Sequence, residues 1–263
     1  MHTIEMDEMK RIQLEILDEI HEFCTSRSIK YSLAFGTLLG AVRHKGYIPW
    51  DDDIDLMMPR WDYERFIREY SSERNELLDL RKKDACVETF CKVSRKGTVM
   101  TDIDLGRSLW GVNVDVFPID GCPEDVGPFF REVERQREEL ARICPFYKVV
   151  TVGKVKWFVK YLAKRLLYRD FHSFLARKHK VAAFLSTFDA QESGWAWCDE
   201  VKPGKQFRSS IFNSYTELPF EGKPYHAMAG WEEYLKAEFG DYLTLPPVEE
   251  RVSSHQYDVF WVD

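Results

Sequence analysis

The stretch that most limits what this chain can become is Gly36–Leu56, GTLLGAVRHKGYIPWDDDIDL, which ends in four aspartates, Asp51, Asp52, Asp53 and Asp55, within five residues. Like charges this close repel one another unless a positive group sits among them. Ile54 separates two of the acids, and Leu56, Met57 and Met58 follow them. The pattern predicts a strand that enters the core with acids at its mouth. Side chains alternate along a strand, so Asp53 and Asp55 point one way while Ile54 and Leu56 point the other. Two carboxylates a strand step apart can grip one hard divalent cation through oxygen. A solvated turn is the commonest fate of an acidic run. Here, however, the flanks are Tyr47, Ile48, Trp50, Ile54 and Leu56 rather than glycine, serine and lysine. A calcium loop fits poorly, because Leu56 stands where the sharp turn needs glycine and Asp62 where the loop closes with glutamate.

Upstream, Tyr31–Phe35 reads as a buried strand that stops at Gly36, and Leu38–Val42 as a short helix starting at Gly36-Thr37. The free N–H groups of such a helix start can hold a phosphate, and Arg43, His44 and Lys45 add positive charge nearby. The second informative place is Val112–Pro118, where Asp115 lies inside a run of branched apolar residues. A lone carboxylate there is costly unless it is paired or bound to a metal. Asp115 is therefore expected on a strand beside Asp53-Ile54-Asp55, as a third metal ligand or as a base. The competing reading is an edge-strand aspartate facing solvent. Lys92, between Cys91 and Val93, reads either as a snorkelling edge lysine or as a phosphate contact. Asp120 falls in a Pro/Gly-flanked stretch and reads as a turn residue bonding locally.

The rest of the chain frames these places. Ile4–Ser26 carries Met9, Ile12, Ile16, Ile20 and Phe23 at helical spacing and reads as a packing helix. Arg60–Tyr70 reads as a helix with Trp61, Phe66 and Ile67 inward. Leu77–Arg81, Val87–Val93 and Thr98–Ile103 read as strands, and Glu124–Arg142 as a charged helix. Val155–Phe174 is an amphipathic helix whose other face holds Lys154, Lys156, Lys160, Lys164, Arg165 and Arg169. A bundle helix with a solvated face is the weightier reading, and contact with an anionic membrane surface the other. Leu218–Lys223 has the look of a hairpin, and Glu232–Phe239 of a helix capped by Gly240. The expected class is α+β: a mixed sheet flanked by helices, with an added helical region and an aromatic-rich C-terminal part. Residues 1–122 would form the catalytic core, 123–190 the helical region, and 191–263 the part completing the active site, all in one compact unit.

Composition excludes some roles. A formal net charge of −7 over 263 residues argues against general nucleic-acid binding. The six scattered cysteines suit reduced thiols better than a disulfide framework or a zinc site. No apolar signal region or bilayer-spanning run is apparent, so a cytoplasmic location is expected, with peripheral contact at the inner membrane face as the variant.

The run GTLLGAVRHKGYIPWDDDIDL closely resembles the LicD family of phosphotransferases, which includes the fukutin-related proteins. VDVFPID around Asp115, LPFEGK around Glu221, FGDYLTLPP from Phe239, and His255 are similar to further stretches of that family in the same order. One departure follows LPFEGKPY, where His226–Gly230 replaces an expected Val-Pro turn. The family in turn resembles polymerase-β-type nucleotidyltransferases. The resemblance implies that Gly36 and Thr37 hold donor phosphates. It implies that Asp53, Asp55 and Asp115 bind Mg2+, with Mn2+ as the alternative ion. It further implies transfer of a phospho-alcohol such as phosphocholine from a CDP-linked donor to a hydroxyl of a glycan, lipid-linked in one version. Arg43, Lys45 or His255 would stabilise the leaving nucleotide, Lys92 would contact phosphate, and Asp51 or Asp52 would be the general base. Aromatic residues of the last third would offer a wall for a quaternary ammonium. Two rival readings stand beside this one: a metal-dependent glycosyltransferase using a nucleotide sugar, and a non-catalytic binding protein of nucleotidyltransferase-like fold.

Overall fold

The computed structural model describes residues 2–79, 90–102, 107–108, 110–143, 194–198, 206–253 and 257–262. The expected basic helix Val155–Phe174, most of the region 123–190, and His255 lie outside the described residues. Among the described residues the chain is α+β, with a mixed sheet and flanking helices.

The sheet is built on its longest strand, β8 (Asn113–Gly121). Val114, Val116, Phe117 and Ile119 are all buried, on both faces of the strand, as expected of a central strand. On one side β8 runs parallel to β3 (Asp55–Pro59), with Asp55 opposite Asp115 and Leu56 opposite Val116. Beyond β3 lies the short antiparallel β2 (Ser32–Leu33). On its other side the first half of β8 pairs with β5 (Cys91–Arg95), and its last residues with β9 (Trp195–Cys198). The short β10 (Phe207–Arg208) extends β9, and β4 (Asn75–Leu78) flanks β5. A second sheet joins β1 (His2–Thr3), β13 (Tyr257–Trp261), β6 (Thr98–Asp102) and β7 (Arg107–Ser108) in that order.

Helix α1 (Met6–Ser26) follows the periodicity that predicts it: Met9, Ile12, Ile16 and Ile20 face the core. Its buried face also includes Gln13. Helix α2 is Phe35–Arg43 and α3 is Arg60–Glu69. In α3 the expectation for Trp61 fails, for the residue is 74% exposed while Tyr63, Phe66 and Ile67 are buried. Tyr63 is three residues from Phe66 and shares its face; Trp61 is five away and does not. Helix α4 (Val126–Ile143) lies within a residue or two of its expected span. Asp120 is not a turn residue. It lies inside β8 with 1% of its surface exposed, and Arg60 at the start of α3 donates to both its oxygens at 2.6 Å. Burial in a central strand makes that partner obligatory.

The hairpin forms as expected, from β11 (Tyr215–Phe220) and β12 (Lys223–Met228). Phe220 pairs with Lys223, and the two residues between them, Glu221 and Gly222, both have positive φ, 50° and 81°. This is the backbone of a type I′ turn. The departure at His226–Gly230 is taken up by the last residues of β12 and the turn into α5 (Trp231–Phe239), which ends at Gly240 with φ 69°.

Candidate active site

The site begins at the junction of β2 and α2. Ala34 is extended, Phe35 has φ 40°, and the first helical bond runs from the Leu38 N–H to the Ala34 carbonyl. A positive φ at a bulky residue is strained, and such strain persists where surrounding contacts hold it. Gly36 and Thr37 therefore sit in the first turn of α2, slightly inside the helix rather than ahead of it. The Thr37 hydroxyl accepts the Asp55 N–H at 2.9 Å, tying the helix start to the mouth of β3. A side chain at Gly36 would meet the Asp51 carboxylate at 2.5 Å, so glycine is what lets that acid approach the positive end of the helix.

Residues 44–54 carry the acids, and the hairpin tip clamps this loop. The Glu221 carboxylate accepts the Tyr47 N–H at 3.0 Å, and the Glu221 N–H reaches the Lys45 carbonyl at 2.9 Å. From α1, Gln13 donates to the Asp52 carbonyl at 2.9 Å and accepts from the Tyr47 hydroxyl at 3.0 Å. The Asp52 carboxylate accepts the Ser253 hydroxyl at 2.8 Å. The carboxylate oxygens of Asp51, Asp52 and Asp53 come within 4.8 Å of one another.

Asp53 precedes β3 and Asp55 opens it, yet both reach the same cavity of about 430 Å³. Strand register brings Asp115 to that cavity, and Lys92 as well, since Lys92 is opposite Asp115 on β5. The Asp115 N–H donates to the Ile54 carbonyl at 2.9 Å. One Asp115 oxygen takes the Lys92 ammonium at 2.5 Å and the other the Asn113 amide at 2.5 Å. Lys92 is thus no snorkelling edge residue, because β5 is paired on both sides and Lys92 is 5% exposed. Nor is Asp115 on an edge strand. Burial, and then the charges of Asp53, Asp115 and Asp51, push the Asp55 carboxyl well above its ordinary range, with Lys92 opposing them. Three like charges acting on one buried carboxyl, all with oxygen donors, fit a hard divalent cation.

Other expected residues fall elsewhere. Arg43 donates to the Tyr242 carbonyl at 3.1 Å and to His44, anchoring the segment after α5. The Lys45 ammonium bonds the Val42 carbonyl at 3.1 Å. Neither lines the cavity. The cavity's aromatic wall comes mostly from the middle of the chain: Phe35, Phe90, Trp110 and Phe117, joined by Tyr257. Of the expected last-third aromatics, Trp197 instead packs edge-on against Phe129 and Phe130, and Tyr225 against His21. Sequence reasoning missed Gln13, Trp110, Asn113, Glu238 and Ser253. Two of these left a trace: Gln13 breaks the apolar stripe of α1, and Asn113 is two residues from Asp115 on the same strand face.

Residues 28–120 match the family described as LicD/FKTN/FKRP, nucleotidyltransferase domain. That span contains all five candidate aspartates and Lys92. Over 274 aligned residues the chain is 27% identical to the lipopolysaccharide cholinephosphotransferase LicD of Haemophilus influenzae, with 99% of each protein covered. Shorter matches join it to uncharacterized proteins of Rickettsia typhi, 48% identical over 52 residues, and Rickettsia prowazekii, 52% identical over 42. These cover 19% and 16% of this chain, and 17% and 16% of those proteins.

Proposed function

We propose that the cavity is the active site of a divalent-cation-dependent phosphotransferase. It moves a phospho-alcohol group, phosphocholine or a close analogue, from a CDP-linked donor to a hydroxyl of lipopolysaccharide or a related cell-surface glycan. The observation that carries the reading is the in-register pair Asp55 and Asp115 on adjacent parallel strands, facing one cavity with Asp53. The near-full-length similarity to a lipopolysaccharide cholinephosphotransferase supports the chemistry and the acceptor class. A nucleotidyltransferase-like core accords with the family description.

In this reading Asp53, Asp55 and Asp115 hold Mg2+, or Mn2+ in its place. The ion supplies charge neutralisation at the pyrophosphate, which is most of what phosphoryl transfer requires. The first turn of α2, Gly36-Thr37, lies beside these acids and orients phosphate through its N–H groups. Lys92 turns from Asp115 to a phosphate oxygen. Asp52 lines the cavity and Asp51 does not, which favours Asp52 as general base. The Ser253 hydroxyl orients it. Asp52 takes the proton of the acceptor hydroxyl. The acceptor oxygen bonds to the phosphorus bearing the alcohol, the bond from that phosphorus to CMP breaks, and CMP leaves with the electron pair.

The test is CMP release from CDP-choline with a lipopolysaccharide acceptor, in magnesium and in EDTA. Wild type should release CMP only with the metal, and Asp53→Asn should lower kcat about 1,000-fold, some 4 kcal/mol, with its circular dichroism unchanged. Near-normal turnover by Asp53→Asn would refute the metal assignment. Release of a nucleotide from a nucleotide sugar, with none from any CDP-alcohol, would establish the glycosyltransferase reading instead. The described helices include none long and apolar enough to cross a membrane. Peripheral membrane contact therefore remains a separate proposal, tested by co-sedimentation with anionic vesicles at low salt.

A further inference from the structure

Two arginines far apart in the chain meet on the segment that follows α5. Arg43, the last residue of α2, donates to the Tyr242 carbonyl at 3.1 Å. Arg251 donates through Nε to the Pro246 carbonyl at 2.9 Å, and its guanidinium carbon lies 5.6 Å from the centroid of the Trp50 ring. His44 joins them: it accepts the Arg43 Nε–H at 3.0 Å and stands edge-on to the same indole, with centroids 6.3 Å apart. Among the described residues no carboxylate pairs with either guanidinium, although Glu249 and Glu250 directly precede Arg251. Burial, and then the Arg251 charge, hold the Arg43 guanidinium below its ordinary pKa. Both groups nevertheless stay charged at neutral pH. Two like charges held together without a counterion are unfavourable, and an anion between them would remove that cost.

We infer that Arg43 and Arg251, braced by Trp50 and His44, form a subsite for a phosphate group carried by the acceptor glycan. The inference rests on the transferase reading and names a chemical feature of its acceptor. Position puts the pair on the acceptor side. Ser253, two residues after Arg251, donates to Asp52, the carboxylate proposed to take the acceptor proton. Two residues of chain span at most about 7 Å, so Arg251 lies close to that carboxylate. The donor's phosphates belong to the other end of α2. Thr37 is in its first turn and Arg43 in its last, about 9 Å further along the axis. Neither arginine lines the cavity that the acids enclose. Chemistry selects phosphate. The carbonyl and imidazole contacts use Nε and Nη1 of Arg43 and Nε of Arg251, which leaves Nη2 of the first and both Nη groups of the second for a ligand. Guanidinium forks bind phosphate oxygens bidentately, and two positive charges balance a phosphate monoester of about −1.5 to −2. A neutral sugar face would leave both charges unmatched.

Isothermal titration without donor reads the subsite, using deacylated lipopolysaccharide oligosaccharide, intact and dephosphorylated with aqueous hydrogen fluoride. Wild type should bind the phosphorylated form about tenfold more tightly, the range of charge-assisted hydrogen bonds. Arg251→Gln keeps a donor for the Pro246 carbonyl and should bring that ratio close to one. Its affinity for CDP-choline in magnesium should stay within about twofold of wild type. Arg251→Lys, a point charge without the fork, should give an intermediate ratio. Arg43→Lys carries the same test if Arg251→Gln loses CDP-choline binding along with the preference. Equal wild-type affinity for the two oligosaccharides, or a glutamine variant that keeps the preference, overturns the subsite and leaves the transferase reading standing. A binding loss confined to phosphatidylglycerol vesicles would assign the arginines to lipid phosphate and overturn it too. Wild type that binds neither oligosaccharide overturns the subsite. If it also releases no CMP from CDP-choline with intact lipopolysaccharide, the transferase reading falls with it.

Discussion

At the residue scale the informative carboxyl is Asp55. Its pKa is raised, first by burial and then by Asp53, Asp115 and Asp51. The folded state therefore binds more protons than the unfolded chain between the ordinary carboxylate range and the raised pKa. Stability of the metal-free protein falls as pH rises through that window. Asp55→Asn removes the buried charge and keeps the shape. In EDTA it should raise Tm by about 3 °C at neutral pH, and the gain should shrink as pH falls towards about 4. Thermal scans across that range check both. A gain that does not vary with pH, or a loss, would show that Asp55 is not under the repulsion described. Magnesium should narrow the difference, because a cation among the wild-type carboxylates relieves the same repulsion.

At the scale of the element, the hairpin β11–β12 acts as a clamp on the acid-bearing loop. Glu221 adopts φ 50°, a conformation that costs a non-glycine residue about 1 kcal/mol. Asparagine or glycine would relieve that cost, but neither places a carboxylate where Glu221 accepts the Tyr47 N–H at 3.0 Å. A side chain at Gly46 would run into the same carboxylate, so the loop and the tip are fitted to each other. Glu221→Ala should cost about 1 kcal/mol in urea unfolding and leave the Tyr47 N–H without its side-chain acceptor. Its larger effect should be on KM for the nucleotide, since the loop carries Asp51, Asp52 and Asp53. Glu221→Gln keeps an acceptor oxygen and should restore most of the affinity. If Ala and Gln behave alike, the clamp is not what positions the loop.

At the scale of the whole molecule, the parallel pair β3–β8 is secured at its far end by an ion pair. Arg60 opens the helix that leaves β3, and Asp120 lies near the end of β8. The guanidinium meets both carboxylate oxygens at 2.6 Å, with Glu64 adding a bond at 3.2 Å. Removing one partner of a buried pair strands the other, so Asp120→Ala should destabilise by about 3–5 kcal/mol. Replacing both, as in Arg60→Met with Asp120→Leu, should recover much of that loss, because the desolvation penalty goes with the charges. A double-mutant cycle in urea measures the coupling. Additive losses would mean that the two residues act through separate contacts.

The sequence by itself determined the elements and the inventory of acids. Periodicity sufficed for α1, the GK-flanked turn for the hairpin, and a carboxylate inside branched apolar residues for Asp115, since these signals concern face and period within one short segment. The family likeness was also legible there, in motifs keeping their order along the chain. Tertiary structure alone decided which elements meet. The neighbouring of the Asp115 strand and the Asp55 strand was the exception, expected from the buried carboxylate; the structure supplied its register, Asp55 opposite Asp115, placed Lys92 opposite that same aspartate, and brought Ser253 to Asp52 across 201 residues. It also reversed two local readings, exposing Trp61 and burying Asp120 against Arg60. The aromatic wall of the cavity was hidden for the same reason: Phe35, Phe90, Trp110 and Tyr257 belong to separate segments with no shared period. Their grouping arises from strand pairing and core packing, whose free energy belongs to contacts between distant residues and is encoded in no single stretch.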